Sequence, residues 1–151
     1  RLSDAEAKEL AKIAGTMVPE DTALGMPGAD DPAILEDIVR SVGRDLPLVR
    51  AALAAIAAKS GGAFGEMDQT AREGLINGWY ASGGAPALAL GRVIVGAYYR
   101  DDRVLRALGH EARAPFPKGY VLEQGDWSLL DVVRERKPFW RDDRLRSAGE
   151  R

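Results

Sequence analysis

Pro86-Ala87-Leu88-Ala89-Leu90-Gly91-Arg92-Val93-Ile94-Val95-Gly96-Ala97-Tyr98-Tyr99 decides the fold, and Arg92 is its only charged residue. A helix that is apolar nearly all round has to be buried on most of its faces. At about 14 residues, or roughly 21 Å at 1.5 Å per residue, it falls well short of a bilayer span, so it reads as the central helix of a core. The remaining helices are expected to pack around it.

The rest of the chain agrees with an all-α fold. Alanine, leucine and charged residues dominate, and the β-branched residues never alternate over a long run. With 151 residues, 46% of them hydrophobic, the chain can bury one core. The expected organisation is a single helical domain over 1–140 followed by a charged tail over 141–151. Twenty-one basic residues against 23 acidic ones leave a formal net charge of -2, which lacks the electrostatic footprint of a general nucleic-acid binder. There is no cysteine, so this chain alone supplies neither a disulfide nor a thiolate-bound metal.

Capping signals place the other helices. Ser3 and Glu6 have the spacing of a capping box, with Leu10, Ile13, Ala14 and Met17 as the apolar stripe and Pro19 just past the end. Pro27-Gly28-Ala29-Asp30 is turn chemistry. Asp31-Pro32 opens a helix to about Val42, and Asp45-Leu46-Pro47 repeats that logic before an alanine-rich helix from Leu48 to Lys59. Ser60-Gly61-Gly62 stops it, Phe64 and Met67 anchor the next entry to the core, and Asp68 caps a helix over Gln69 to Ala81. Ser82-Gly83-Gly84 is the hinge into the central helix. Asp126 or Ser128 caps a last helix reaching about Lys137, where Pro138 stops it. Arg100-Asp101-Asp102-Arg103 and Arg141-Asp142-Asp143-Arg144 match, each after two aromatic residues, through chance or a short internal repeat.

Few residues carry catalytic chemistry. His110 is the only histidine and has no second histidine or cysteine to work with, so it reads as a solvent-facing loop residue. Asp30-Asp31, Asp101-Asp102 and Asp142-Asp143 could supply two acids for glycoside hydrolysis, but aspartates at helix starts are more simply caps. No glycine pattern matches a nucleotide-binding loop. Gly91 and Gly96, inside the central helix, each cost up to about 1 kcal/mol relative to alanine, and close helix approach is the expected compensation. The aromatic residues are more suggestive. Trp79-Tyr80, Tyr98-Tyr99, Phe116, Tyr120, Trp127 and Phe139-Trp140 are interleaved with Arg100, Arg103, Arg106, Arg113, Arg134, Arg136 and Arg141, a composition shared by core caps and partner surfaces.

Taken in order, these segments resemble a known family. Leu2-Ser3-Asp4-Ala5-Glu6, the segment from Ala14 to Pro19, Pro27-Gly28-Ala29, Gly62-Ala63-Phe64 with Met67, and above all Gly96-Ala97-Tyr98-Tyr99-Arg100-Asp101-Asp102 with Leu108-Gly109 are similar to the gluconate 2-dehydrogenase subunit 3 family. The likeness spans roughly Leu2 to Trp140, with methionine at position 67 where the family has leucine.

The resemblance implies a non-catalytic small (gamma) subunit with no cofactor of its own. Its partner would be a large FAD-binding flavoprotein of the glucose-methanol-choline type, which oxidises a sugar, sugar acid or related alcohol and often passes electrons to a cytochrome c subunit. It also implies twin-arginine export of the folded pair to the periplasm, with Arg1 downstream of a removed or omitted leader. On this reading Tyr98, Tyr99, Arg100, Phe116, Tyr120, Trp127, Phe139 and Trp140 face the partner, with the arginines as a polar rim. The alternative is a small helical enzyme or ligand-binding protein using a pocket formed by Asp101, Asp102 and His110. A self-associating helical scaffold is the third possibility.

Overall fold

The computed structural model describes residues 1–114, 116, 118–119, 121–137 and 139, and among them the fold is all-α with seven helices and no strand. The chain divides into two units, Arg1–Arg113 and Ala114–Arg151.

The first unit carries six helices. Helix α1, Asp4–Met17, begins at the capping box that the sequence predicts: Ser3 Oγ accepts from the Glu6 amide at 3.3 Å, and Glu6 Oε2 accepts from the Ser3 amide at 2.7 Å. Two otherwise unpaired amides at the helix end are thereby satisfied. Helix α2, Pro32–Ser41, is capped by Asp31 with proline in its first turn. Helix α3 covers Leu46–Lys59 and α4 covers Gln69–Tyr80, the latter capped by Asp68. Helix α5, Gly84–Tyr98, is the apolar segment, and α6, Asp102–Ala107, is capped by Asp101.

One predicted cap is replaced by other chemistry. Gly43–Asp45 forms a short 3₁₀ turn that runs straight into α3, so Asp45 already has helical dihedrals and makes no capping bond. Its carboxylate instead accepts from Arg92 at 2.7 Å, tying this turn to α5.

Helix α5 packs against α2, α3 and α4, while α1 lies against α3 and α4. Ala87, Leu90, Ile94 and Ala97 are fully or almost fully buried, facing Ile38, Val49, Ala52 and Ile56 in the same core. Burial is not complete around the helix. Leu88, Arg92, Val95, Gly96 and Tyr99 follow one another at i, i+4, i+7, i+8 and i+11, and all are exposed. The expectation of close approach holds for Gly91, where an added Cβ would come within 2.5 Å of the Tyr80 hydroxyl on α4. At Gly96 it fails, because a Cβ there would meet nothing within 4 Å.

Pro27-Gly28-Ala29 is a packed loop rather than a surface connection. Ala29 is fully buried and its amide donates to the Val18 carbonyl, while the Tyr98 hydroxyl donates to the Pro27 carbonyl at 3.0 Å. A Cβ on Gly28 would lie 2.4 Å from Asp30 Oδ1 and 3.1 Å from the Glu20 backbone nitrogen, so any side chain there has to displace the Asp30 carboxylate and press on the backbone. Phe64 is buried and Met67 packs against the core, as anticipated.

The second unit contains a 3₁₀ turn, Trp127–Leu130, followed by α7, Asp131–Arg134. Asp126 supplies the cap, accepting from both the amide and the hydroxyl of Ser128. Regular helix ends at Arg134, short of Lys137. Leu129, Val132 and Val133 are exposed, and with its apolar side chains uncovered, so short a segment has little to extend it. Pro138 lies outside the described residues. No helix among the described residues is long and apolar enough to cross a membrane.

Candidate partner-binding surface

Phe116, Val121, Leu122, Trp127, Leu129, Leu130, Val132, Val133 and Phe139 are all exposed in the second unit. Every described residue from Ala114 onward is exposed except Gly119, which is partly covered. Phe116 is 87% and Phe139 95% exposed, far beyond what a core-forming aromatic shows. Trp127, 59% exposed, has its indole N–H held by Gln124 Oε1 at 3.3 Å, which satisfies the polar edge of the ring and leaves much of the apolar surface in water. In monomeric proteins large exposed apolar patches mark interaction sites, whereas apolar residues exposed singly need no explanation. Tyr120 and Trp140, the other two aromatic residues expected here, lie outside the described residues, as does the tail over 141–151.

The sequence grouped Tyr98 with Tyr99, but the two tyrosines part company at the end of α5. Tyr98 is 2% exposed and belongs to the core, where burial raises its hydroxyl above the usual phenol range. Tyr99 is 51% exposed and meets Tyr98 edge-on, with ring centroids 5.3 Å apart. A helix that buries one face turns adjacent residues about 100° apart, so consecutive aromatics rarely share a surface.

Arg100 donates to Asp37 and to the Ser41 hydroxyl, bridging the end of α5 to α2. Arg103 grips two carboxylates at once, Asp31 at 2.7 Å and Asp101 at 2.9 Å, and each of these aspartates also caps a helix. Its guanidinium holds both carboxyl groups below the ordinary aspartate range and is itself pushed upward by them. Arg106 pairs with Asp102 one turn along, Arg113 with Glu111, and Arg134 with Asp131. Five of the seven arginines expected to form a partner rim, Arg100, Arg103, Arg106, Arg113 and Arg134, therefore also serve intramolecular pairs, and Arg141 lies outside the described residues. Arg103 as a clamp between α2 and α6 was not read from the sequence, although both of its carboxylates were recognised as caps.

The acidic residues of the alternative reading divide in the same way. Asp101 and Asp102 line a cleft of about 450 Å³ with Asp37, Arg40 and Arg100, between α2 and the junction of α5 with α6. His110 is not among its lining residues. It is exposed beyond α6, where its amide donates to the Leu105 carbonyl and Gly109, at φ +78, completes the helix stop. Asp101 is occupied by the Arg103 amide and guanidinium, and its lowered affinity for protons is the reverse of what a general acid at neutral pH needs. No cluster of three potential metal ligands occurs among the described residues.

A larger cleft, about 540 Å³, lies between the end of α1 and α4 and is bordered by Thr16, Met17, Glu73, Ile76, Asn77 and Tyr80. The Thr16 hydroxyl is already spent on the Lys12 carbonyl, and the walls bring no second charge toward Glu73. No family model, curated protein or solved structure matches the chain.

Proposed function

We propose that the chain is a non-catalytic small subunit that binds a larger protein through its C-terminal unit. Its partner would be the FAD-dependent flavoprotein of the glucose-methanol-choline type that the sequence resemblance implies. The observation that carries this reading is the second unit's run of uncovered apolar side chains, from Phe116 to Phe139. Burying a Val, Leu or Phe side chain contributes about 1.5–3 kcal/mol, so a partner that covered these side chains would gain a favourable term with each one it buried.

The small subunit would stabilise the flavoprotein and accompany it through twin-arginine export to the periplasm, while oxidation of the sugar, sugar acid or related alcohol proceeds in the partner. A cytochrome c subunit would accept the electrons in complexes that include one. The occupied state of Asp101 and the separate position of His110 favour this division of labour over catalysis by the chain itself.

Affinity capture of the full chain from the periplasmic extract of its source, followed by an absorption spectrum, tests the proposal. A flavin spectrum with a co-eluting subunit several times its mass is expected, and Trp127→Ser combined with Leu130→Ser should release it. A single colourless band under conditions that preserve complexes would sink the reading.

A further inference from the structure

The glycine in the exposed face of α5 has no packing role, yet it stands midway between two arginines. Arg92 and Gly96, at i and i+4, share one face of α5, and Arg100 follows in the turn just past the helix end. That face borders a cleft of about 270 Å³ whose walls include Ser41, Arg44, Asp45, Arg92, Gly96 and Arg100.

We infer that this cleft binds a small oxyanion, a carboxylate or phosphate group, independently of the partner-binding role. Arg44, Arg92 and Arg100 line it together with Asp45, while Asp37, which pairs with Arg100, is not among its lining residues. Those two carboxylates anchor rather than cancel the site. Asp45 accepts from one terminal nitrogen of Arg92 at 2.7 Å, while Asp37 and the Ser41 hydroxyl accept from Arg100, so each of these half-exposed guanidiniums has one side engaged and other N–H groups still available. Arg44 has no hydrogen bond or ion pair among the described residues. Two paired guanidiniums with N–H groups to spare and a third, unengaged one supply the donor chemistry by which arginine recognises carboxylate and phosphate. The missing side chain at Gly96 leaves the anion room between them, since nothing lies within 4 Å of where its Cβ would be.

The test is a titration of the ¹⁵N-labelled full chain with inorganic phosphate and, separately, with acetate, each against chloride at matched ionic strength, reading the Gly96 amide and the arginine Nε–H signals. Saturable shifts with at least one of the two oxyanions and none with chloride are expected, and the arm that saturates identifies the oxyanion class. Arg44→Gln should weaken the saturating anion at least fivefold. Gly96→Ala keeps every charge and introduces no clash, so it tests the cleft rather than the local potential, and it should weaken binding at least tenfold. Shifts that chloride reproduces, no saturation with either oxyanion, or undiminished binding in Gly96→Ala would each overturn the inference.

Discussion

Two residues show how closely local chemistry constrains this chain. Gly28 sits where the loop after α1 turns into the core, and a methyl group there meets both the Asp30 carboxylate and the Glu20 backbone nitrogen. The Asp30 side chain can swing away, but the backbone cannot easily follow, so Gly28→Ala should destabilise the fold by about 1–3 kcal/mol, the usual range for overpacking. Chemical denaturation checks this, and a midpoint equal to that of the unsubstituted chain would show that the loop yields freely. Glu6 is the second case. The Arg50 guanidinium, with help from the Ser3 amide, lowers its carboxyl from an ordinary 4.5 to about 2. Because the folded value lies below the unfolded one, the stabilisation is fully present above about pH 4.5 and is lost as pH falls toward 2. Thermal midpoints of Glu6→Gln and the unsubstituted chain should therefore differ at pH 6 and converge across that window. A gap that stays constant down to pH 2 would remove the carboxylate charge as its cause. The Ser3–Glu6 box was legible in sequence because it is a local spacing, whereas Arg50 lies 44 residues from Glu6 and no local pattern announces the pair.

Helices were legible for the same reason, and their surroundings less so. Asp31, Asp68 and Asp101 all cap where expected, since a cap depends on a few neighbouring residues. Asp45 does not, because the chain was already helical at that point and Arg92 offered it a partner from another element. Composition alone made α5 apolar on nearly every side, but it could not distinguish a helix enclosed by neighbours from one with an open strip. The two interior glycines make the distinction experimentally accessible. Gly91→Ala must displace the Tyr80 hydroxyl, whereas Gly96→Ala adds a methyl group in open space and relieves the conformational freedom of glycine. The second substitution should stabilise the protein by up to about 1 kcal/mol, and the first should be neutral or destabilising. Ile94→Ala, in the fully buried part of the same helix, should cost about 2–5 kcal/mol. If all three variants shared one thermal midpoint, α5 could not be the helix on which the core is assembled.

At the scale of the molecule, the structural core and the proposed binding surface occupy different stretches of chain. Every buried residue among the described ones lies at or before Val104, within the unit that ends at Arg113, and no described residue beyond Arg113 is buried. The aromatic count of the second half did suggest a surface function, but sequence could not separate Tyr98, drawn inward by the Pro27 carbonyl, from Tyr99, since both satisfy the same composition argument. A division of this kind has a direct consequence. Folding free energy comes from buried apolar area, which the first unit contains, whereas an exposed apolar segment lowers free energy only when something covers it. A chain cut after Arg113 should therefore keep its helical circular dichroism and its cooperative thermal transition, with a midpoint within a few degrees of that of the full chain. The same truncation should abolish capture of the flavoprotein. Both measurements are needed because they separate the two roles: loss of cooperativity on truncation would mean that residues after Arg113 complete the core, and retained capture would move the partner surface onto the first unit, where the exposed Leu88, Val95 and Tyr99 are the next apolar residues to test.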